Sequence, residues 1–247
     1  MDYEHYLEYL KIEGERFSAL AQFADANAPV PSCPDWCVAD LLAHLGYIHR
    51  WARFLVDARA PDRIATKDMA LSSGPVNAQW LAQGVDELLV TLRSADPEEE
   101  MWAWGEDQHV RFWARRQLHE TLIHRVDLEG ALGLPSDIDS AIGADAIDEF
   151  FANLARAGRF SPNVKNLVGA GERLQFACDD GPTWSVELQP EGFTFLEGSS
   201  HHDATLSGPT SDVLQVIYRR RALGDSRCVV TGRGDLVDLW LENSALD

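Results

Sequence analysis

The chain has 247 residues, enough for one large domain or two modest ones whose core needs no disulfide or metal staple, so any metal it holds is expected to serve function. Forty acidic against 21 basic residues leave a formal charge of −19, which repels phosphate backbones and anionic membrane surfaces and argues against nucleic acid as a partner. Four cysteines are few for this length, the opening MDYEHYLEYL is no basic-then-apolar leader, and no apolar run is long enough to span a bilayer. The expectation is a cytoplasmic protein, monomer or homodimer, without a membrane partner.

In chain order, residues 3–24 place Tyr3, Tyr6, Leu7, Leu10, Phe17, Leu20 and Phe23 at helical spacings, and the segment NAPVPSCPDW breaks the pattern. A second helix is predicted from Val38 to Arg59, carrying Leu41, Leu45, Ile48, Trp51 and Leu55 on one stripe, with Cys37 at the start where a capping box would put Ser or Thr. The stretch APDRIATKDMALSSGP reads as a loop. Further helices are predicted over 76–94, over 110–132, where Gly133 and Pro135 form a stop, and over 144–157. Four or five such helices joined by loops argue for an antiparallel bundle. After GRFSPNVKN the texture changes. Residues 174–178 and 184–188 alternate about the turn Asp179-Asp180-Gly181-Pro182 and predict a hairpin. Strands over 192–196 and 203–206, a helix over 210–222, a strand over 227–231 and a closing helix over 236–242 complete a small α+β unit. The fold class is therefore α + (α+β), with a helical domain over 1–160, an α+β domain over 165–247, and the boundary between Gly158 and Gly171.

The helix FWARRQLHETLIHRVDLEGALG carries the chemistry. At about 100° per residue, Arg116, Glu120, His124 and Asp127 fall within roughly 80° of arc, away from Leu118, Leu122 and Val126. Glu120 and His124 are thus neighbours, while His119 stands roughly 140° from His124 and is a poor co-ligand. The plain alternative is a solvated polar stripe held by i,i+4 pairs, but Trp113 and Ala131 share the arc, and a solvent face needs no tryptophan. His44 sits in the apolar stripe of the second helix, so it is expected to point into the bundle, where burial demands a partner. A buried His44 facing Glu120 and His124 makes two imidazoles and one carboxylate, the donor set of open catalytic zinc sites. Asp127 or Arg116 could orient those ligands from behind.

The strings CPDWCVADLLAHLG and FWARRQLHETLIHRVDLEGALG, in this order and spacing, resemble the two signature segments of the mycothiol-dependent maleylpyruvate isomerase family. The N-terminal domain of that family belongs to the DinB-like metal-binding four-helix bundles. HHDATLSGPTSDVLQVIYRRR and CVVTGRGDLVDLWLEN resemble its C-terminal domain, which is related to sterol carrier protein folds. The resemblance implies a zinc site at His44, Glu120 and His124, with His119 not a ligand. It implies mycothiol, or a similar low-molecular-weight thiol, as co-substrate meeting the metal, and an arginine of the C-terminal domain at the cleft. VIYRRR places Arg220 nearest to that arginine, with Arg219 and Arg221 beside it, while basic residues at a solvated helix end are the bland reading of the triplet. Trp36, Trp51 and Trp113 lie near the ligand positions in sequence and are expected to wall the site, Trp51 with Arg220 against the thiol. Cys33 and Cys37 lack a second Cys pair and are read as loop and helix-start residues, Cys178 and Cys228 as apolar core in strands, and His201 and His202 as a surface turn.

The activity implied by the resemblance is thiol addition to an electron-poor cis double bond, rotation about the resulting single bond, and elimination of the thiol to give the trans isomer. Thiol S-transfer to a small electrophile would use the same residues. Two other classes stay open: a metal-dependent hydrolase, for which Asp127 or His49 is the nearest base, and a non-catalytic small-molecule or lipid-binding protein.

Overall fold

A computed structural model describes residues 1–65, 75–158, 161–197 and 201–245; of the loop expected at 60–75, residues 66–74 lie outside the described residues. The chain divides into two compact units, Met1–Ser136 and Asp137–Asp247.

The first unit is built on α1 (Tyr3–Ala21), α2 (Val38–Ala58), α3 (Ala78–Ser94) and α4 (Val110–Ala131). Each helix packs against two others, α1 against α4 and α3, α2 against α3 and α4, so the four close a ring in the order α1, α4, α2, α3. The apolar stripes read from the sequence supply the core, with Leu7, Leu10, Phe17, Leu41, Leu45, Leu55, Leu81, Leu88, Leu118 and Leu122 at most 1% exposed. Starts follow capping chemistry: Asp2 accepts from His5 N–H, Asn77 from Trp80 N–H, and Asp40 accepts the Cys37 N–H at 2.9 Å. The position three residues into α2 thus makes its half of a capping box even with cysteine at the cap.

The ring is drawn tight between α2 and α3 at a glycine. A Cβ on Gly46 would lie 2.0 Å from the Trp80 ring, so the indole lies directly on helix backbone. Arg50 lies over that ring, 3.7 Å from its centroid, and donates to the carbonyls of Gly46 and Trp80 at 3.0 and 2.8 Å.

The second unit begins with α5 (Ser140–Leu154), capped by Asp139, and continues through β1 (Arg173–Cys178), β2 (Thr183–Gln189), β3 (Gly192–Leu196), β4 (Ala204–Gly208), α6 (Thr210–Ile217), β5 (Val229–Gly232) and α7 (Gly234–Asn243). The sheet order is β3-β2-β1-β4-β5, antiparallel throughout except for the parallel pair β1 and β4. Leu174, Phe176, Val186, Leu188 and Leu206 point to one face, where Phe151 of α5 and Trp240 of α7 pack on Phe176 with ring centroids 5.1 and 5.3 Å away.

Three expectations are corrected. The fifth helix, read as part of an N-terminal domain over 1–160, packs on α6 in the second unit, with Gly143 against Thr210, so the division falls at Ser136 and Asp137. The helix expected over 210–222 ends at Ile217, because Arg219 takes up a left-handed backbone, φ 58°, that closes its last turn. Cys228, read as strand core, stands one residue ahead of β5 and is only half-buried, whereas Cys178 is buried.

Gly46→Ala is expected to destabilise the chain by about 1–3 kcal/mol, the usual cost of overpacking, as the Trp80 ring is forced off the helix. Urea unfolding of the variant against the unchanged chain measures this.

Candidate metal centre

The α4 helix is unusual for its composition. Seventeen of its 22 residues are buried, among them Arg116, Gln117, His119, His124, Arg125, Asp127 and Glu129, and this excludes the solvated-stripe reading. Helix α4 contacts both α1 and α2, and its polar groups divide between them. Toward α1, Arg125 is bonded to Glu13, donates to Glu129 at 2.7 Å, and is fully buried. His119 also lies on that side, its ring edge-on to Tyr6, so it stands apart from the candidate ligands as the helical angles predict.

Toward α2, Glu120 is the meeting point. Its Oε1 lies 3.3 Å from His44 Nε2 and 3.1 Å from His124 Nε2, and its Oε2 accepts from Arg116 at 2.7 Å. One ligand atom from each of His44, Glu120 and His124 falls within 4.8 Å of the others, and theirs is the one such group of His, Cys, Asp and Glu among the described residues. Ligands of a tetrahedral zinc ion, about 2.0–2.1 Å from the metal, are about 3.3 Å apart, so these spacings fit a single ion drawing in all three atoms. The orientation fits as well. Asp127 Oδ2 lies 2.8 Å from His124 Nδ1 and accepts its N–H, which directs Nε2 to the ligand side. Arg116, 5% exposed, holds one oxygen of Glu120 and leaves the other facing the imidazoles.

His44 differs from expectation. The apolar stripe predicts a buried side chain, yet that of His44 is 33% exposed, against 20% for Glu120 and 8% for His124. The group is therefore buried at the back and open at one side, as a reacting position requires. Trp36 lies on that group, its ring 4.8 Å from the His44 centroid and 6.2 Å, near-parallel, from that of His124. Trp51 is taken up elsewhere: its indole N–H donates to Ile64 O at 2.7 Å and its ring meets Trp102 and Trp113 edge-on.

The electrostatics follow from this packing. Burial alone would raise the Glu120 carboxyl, but Arg116 and the two imidazoles outweigh it and hold the group well below the usual carboxylate range. Burial would lower His124, but its hydrogen bonds to Asp127 and Glu120 prevail and push it up to about 9. His49, fully buried and bonded through Nε2 to Thr121 Oγ1 at 2.9 Å, is pushed down to about 3 by burial. The Thr121 hydroxyl donates to Gln117 O, so His49 Nε2 carries the proton of that bond.

Among the arginines of the second unit, Arg221 donates to the buried Asp212 at 2.9 Å, a carboxylate that also holds Arg227, and so it serves the fold. Arg219 is exposed, and Arg220 is half-exposed and donates to Tyr218 O at 2.8 Å. Ser32, which donates to Asp127 Oδ1 at 2.5 Å, is the site residue that sequence reasoning missed; it lies 95 positions from its partner and no spacing rule reaches it.

Comparison with known proteins accords with this architecture. Residues 10–129 match the model of the mycothiol maleylpyruvate isomerase N-terminal domain, and residues 141–239 match that of the MDMPI C-terminal domain. Two crystal structures share the fold. One is of a mycothiol-dependent maleylpyruvate isomerase, with a TM-score of 0.58, 15% identity and coverage of 94% of this chain and 93% of that one. The other is of a histidine-to-alanine variant of such an isomerase, with a TM-score of 0.59, 15% identity and coverage of 92% and 93%. No curated protein matches the chain significantly. With both domain models matched in order over nearly its whole length, the chain belongs to the mycothiol maleylpyruvate isomerase family.

Proposed function

We propose that the protein is a metal-dependent enzyme that uses mycothiol, or a closely similar thiol, to isomerise a small electron-poor cis alkene of the maleylpyruvate type. The observation that carries this reading is the convergence of His44 Nε2, Glu120 Oε1 and His124 Nε2 in a chain of this family. A divalent ion there, zinc by the donor set, would supply the Lewis acidity that keeps a thiol ionised at neutral pH.

The protein groups divide the remaining work. His44, Glu120 and His124 bind the ion, Asp127 fixes the aim of His124, and Arg116 fixes the aim of Glu120. Trp36 excludes water from the outer face of the two imidazoles. For Arg220 we propose a part in binding the thiol or substrate, as the family resemblance implies, since Arg221 is committed to Asp212; Trp51, taken up by Ile64, Trp102 and Trp113, is left out of this role. Thiol transfer to a small electrophile makes identical demands on these residues and is the neighbouring reading within the same chemistry. Hydrolysis is less well served: Asp127 is bonded to both Ser32 and His124, and His49 is too weak a base and too deeply buried to activate water. A reducing, cytoplasmic setting suits both a free-thiol cofactor and four free cysteines.

Protein purified without a histidine tag is expected to hold about one equivalent of metal by elemental analysis. His44→Ala and Glu120→Gln should weaken metal binding by more than about 100-fold, and Asp127→Asn by about 10–100-fold, the range for loss of an outer hydrogen bond to a ligating histidine. Competition against a chromophoric chelator reads these affinities.

Maleylpyruvate turnover by the metal-loaded enzyme should appear only when mycothiol is added, and the thiol should be recovered unchanged. Isomerisation or hydrolysis at the same rate in buffer alone would remove the thiol from the reading; consumption of thiol into an adduct would move it to S-transfer.

A further inference from the structure

The ligands on α2 and α4 form one side of the centre. The loop over 29–37 lies against this centre through the Trp36 ring and the Ser32 hydroxyl. This loop is closed on itself: Pro29 and Cys37 form a bridge, Val30 N–H donates to Trp36 O at 2.9 Å, and Trp36 N–H donates to Cys33 O at 2.9 Å. Two side chains leave it toward the centre. Ser32 Oγ–H donates to Asp127 Oδ1, and the Trp36 ring lies on His44 and His124.

Asp127 is 1% exposed, so its orientation is set by its hydrogen bonds and not by water. One oxygen faces His124 Nδ1 at 2.8 Å and the other takes the Ser32 hydroxyl at 2.5 Å, which opposes rotation of the carboxylate about its own axis. A turn of that carboxylate would swing the imidazole whose Nε2 must meet Glu120 and the ion. Ser32 and Trp36 are held in one short, internally bonded loop, so the bond that steadies Asp127 also fixes how closely the indole lies on the two rings.

Building on the metal-site reading, we propose that Ser32 is a positioning residue for His124, acting through Asp127, and that the same bond seats Trp36 over the ligand imidazoles. The function is specific to a hydroxyl donor at this place; a residue that merely filled the loop would be replaceable by alanine.

The test uses the full chain with Ser32→Ala and Ser32→Thr, each with and without Trp36→Phe. Zinc affinity is measured by chelator competition, and acrylamide quenching of tryptophan emission is measured on metal-stripped protein. Ser32→Ala should weaken zinc binding about tenfold, the lower end for an outer-shell loss, and Ser32→Thr should recover most of it. Quenching should rise in Ser32→Ala and show no such rise when Trp36 is phenylalanine. Unchanged zinc affinity in Ser32→Ala, or threonine no better than alanine, overturns the positioning role; unchanged quenching overturns the seating of Trp36. If the unsubstituted chain takes up no zinc, the metal reading itself falls, and the quenching comparison alone decides what Ser32 does to the loop.

Discussion

Glu120 is a carboxylate set within a helical bundle, and an unpartnered charge in such a place costs several kcal/mol. Its two oxygens are divided between a guanidinium behind and two imidazoles in front, Arg116 at 2.7 Å, His124 at 3.1 Å and His44 at 3.3 Å. The partners impose the architecture. Arg116 and His124 lie one turn to either side on α4, so that helix must be continuous through the site; His44 comes from α2, so α2 and α4 must be neighbours in register. Gly46 serves this end two residues beyond His44, where the close seat of Trp80 on the helix backbone fixes α2 against α3.

Helix α4 therefore carries charge on two sides and still occupies the interior. On the side of α1, Arg125 is fully buried among Glu13 and Glu129, a cluster that stabilises the fold only because each charge is answered. An apolar helix could pack there at least as well. What a buried ion cluster adds is a single acceptable register of α1 against α4, since a slip along the helix would strand Arg125 opposite the leucines of α1. With α1 pinned on one side and His44 on the other, the aim of Glu120 is constrained from both flanks.

The spacing of apolar residues made the four helices of the bundle and the β1–β2 hairpin legible, since each buries one stripe or one face. The pairing of Glu120 with His124 was legible for the same reason, the apolar setting of His44 pointed to the third partner, and the family resemblance fell on the same three residues. What periodicity left out has physical causes. Helix α5 carries an apolar face like those of the bundle helices, and nothing local says that α6 rather than α1–α4 will cover it. His44 lies on an apolar stripe by angle, but the stripe ends at a rim, and a wheel of angles has no rim. Ser32 belongs to an irregular loop whose contact with Asp127 exists only once α4 is packed.

Isomerisation and thiol transfer ask the same of the first unit: one ionised thiol, one oriented carboxylate, one aimed imidazole. The choice between them cannot reside in His44, Glu120 or His124. It must come from groups that recognise the electrophile. In the second unit, the segment after α6 is closely held from within. Asp212, fully buried at the start of α6, takes Arg221 and Arg227 and thereby anchors the chain on both sides of the bend. The left-handed backbone at Arg219 turns the chain sharply, and the Arg220 and Arg221 N–H groups close back on Gln215 O at 2.7 and 3.2 Å. The turn that carries Arg220 is therefore fixed by bonds within the second unit itself.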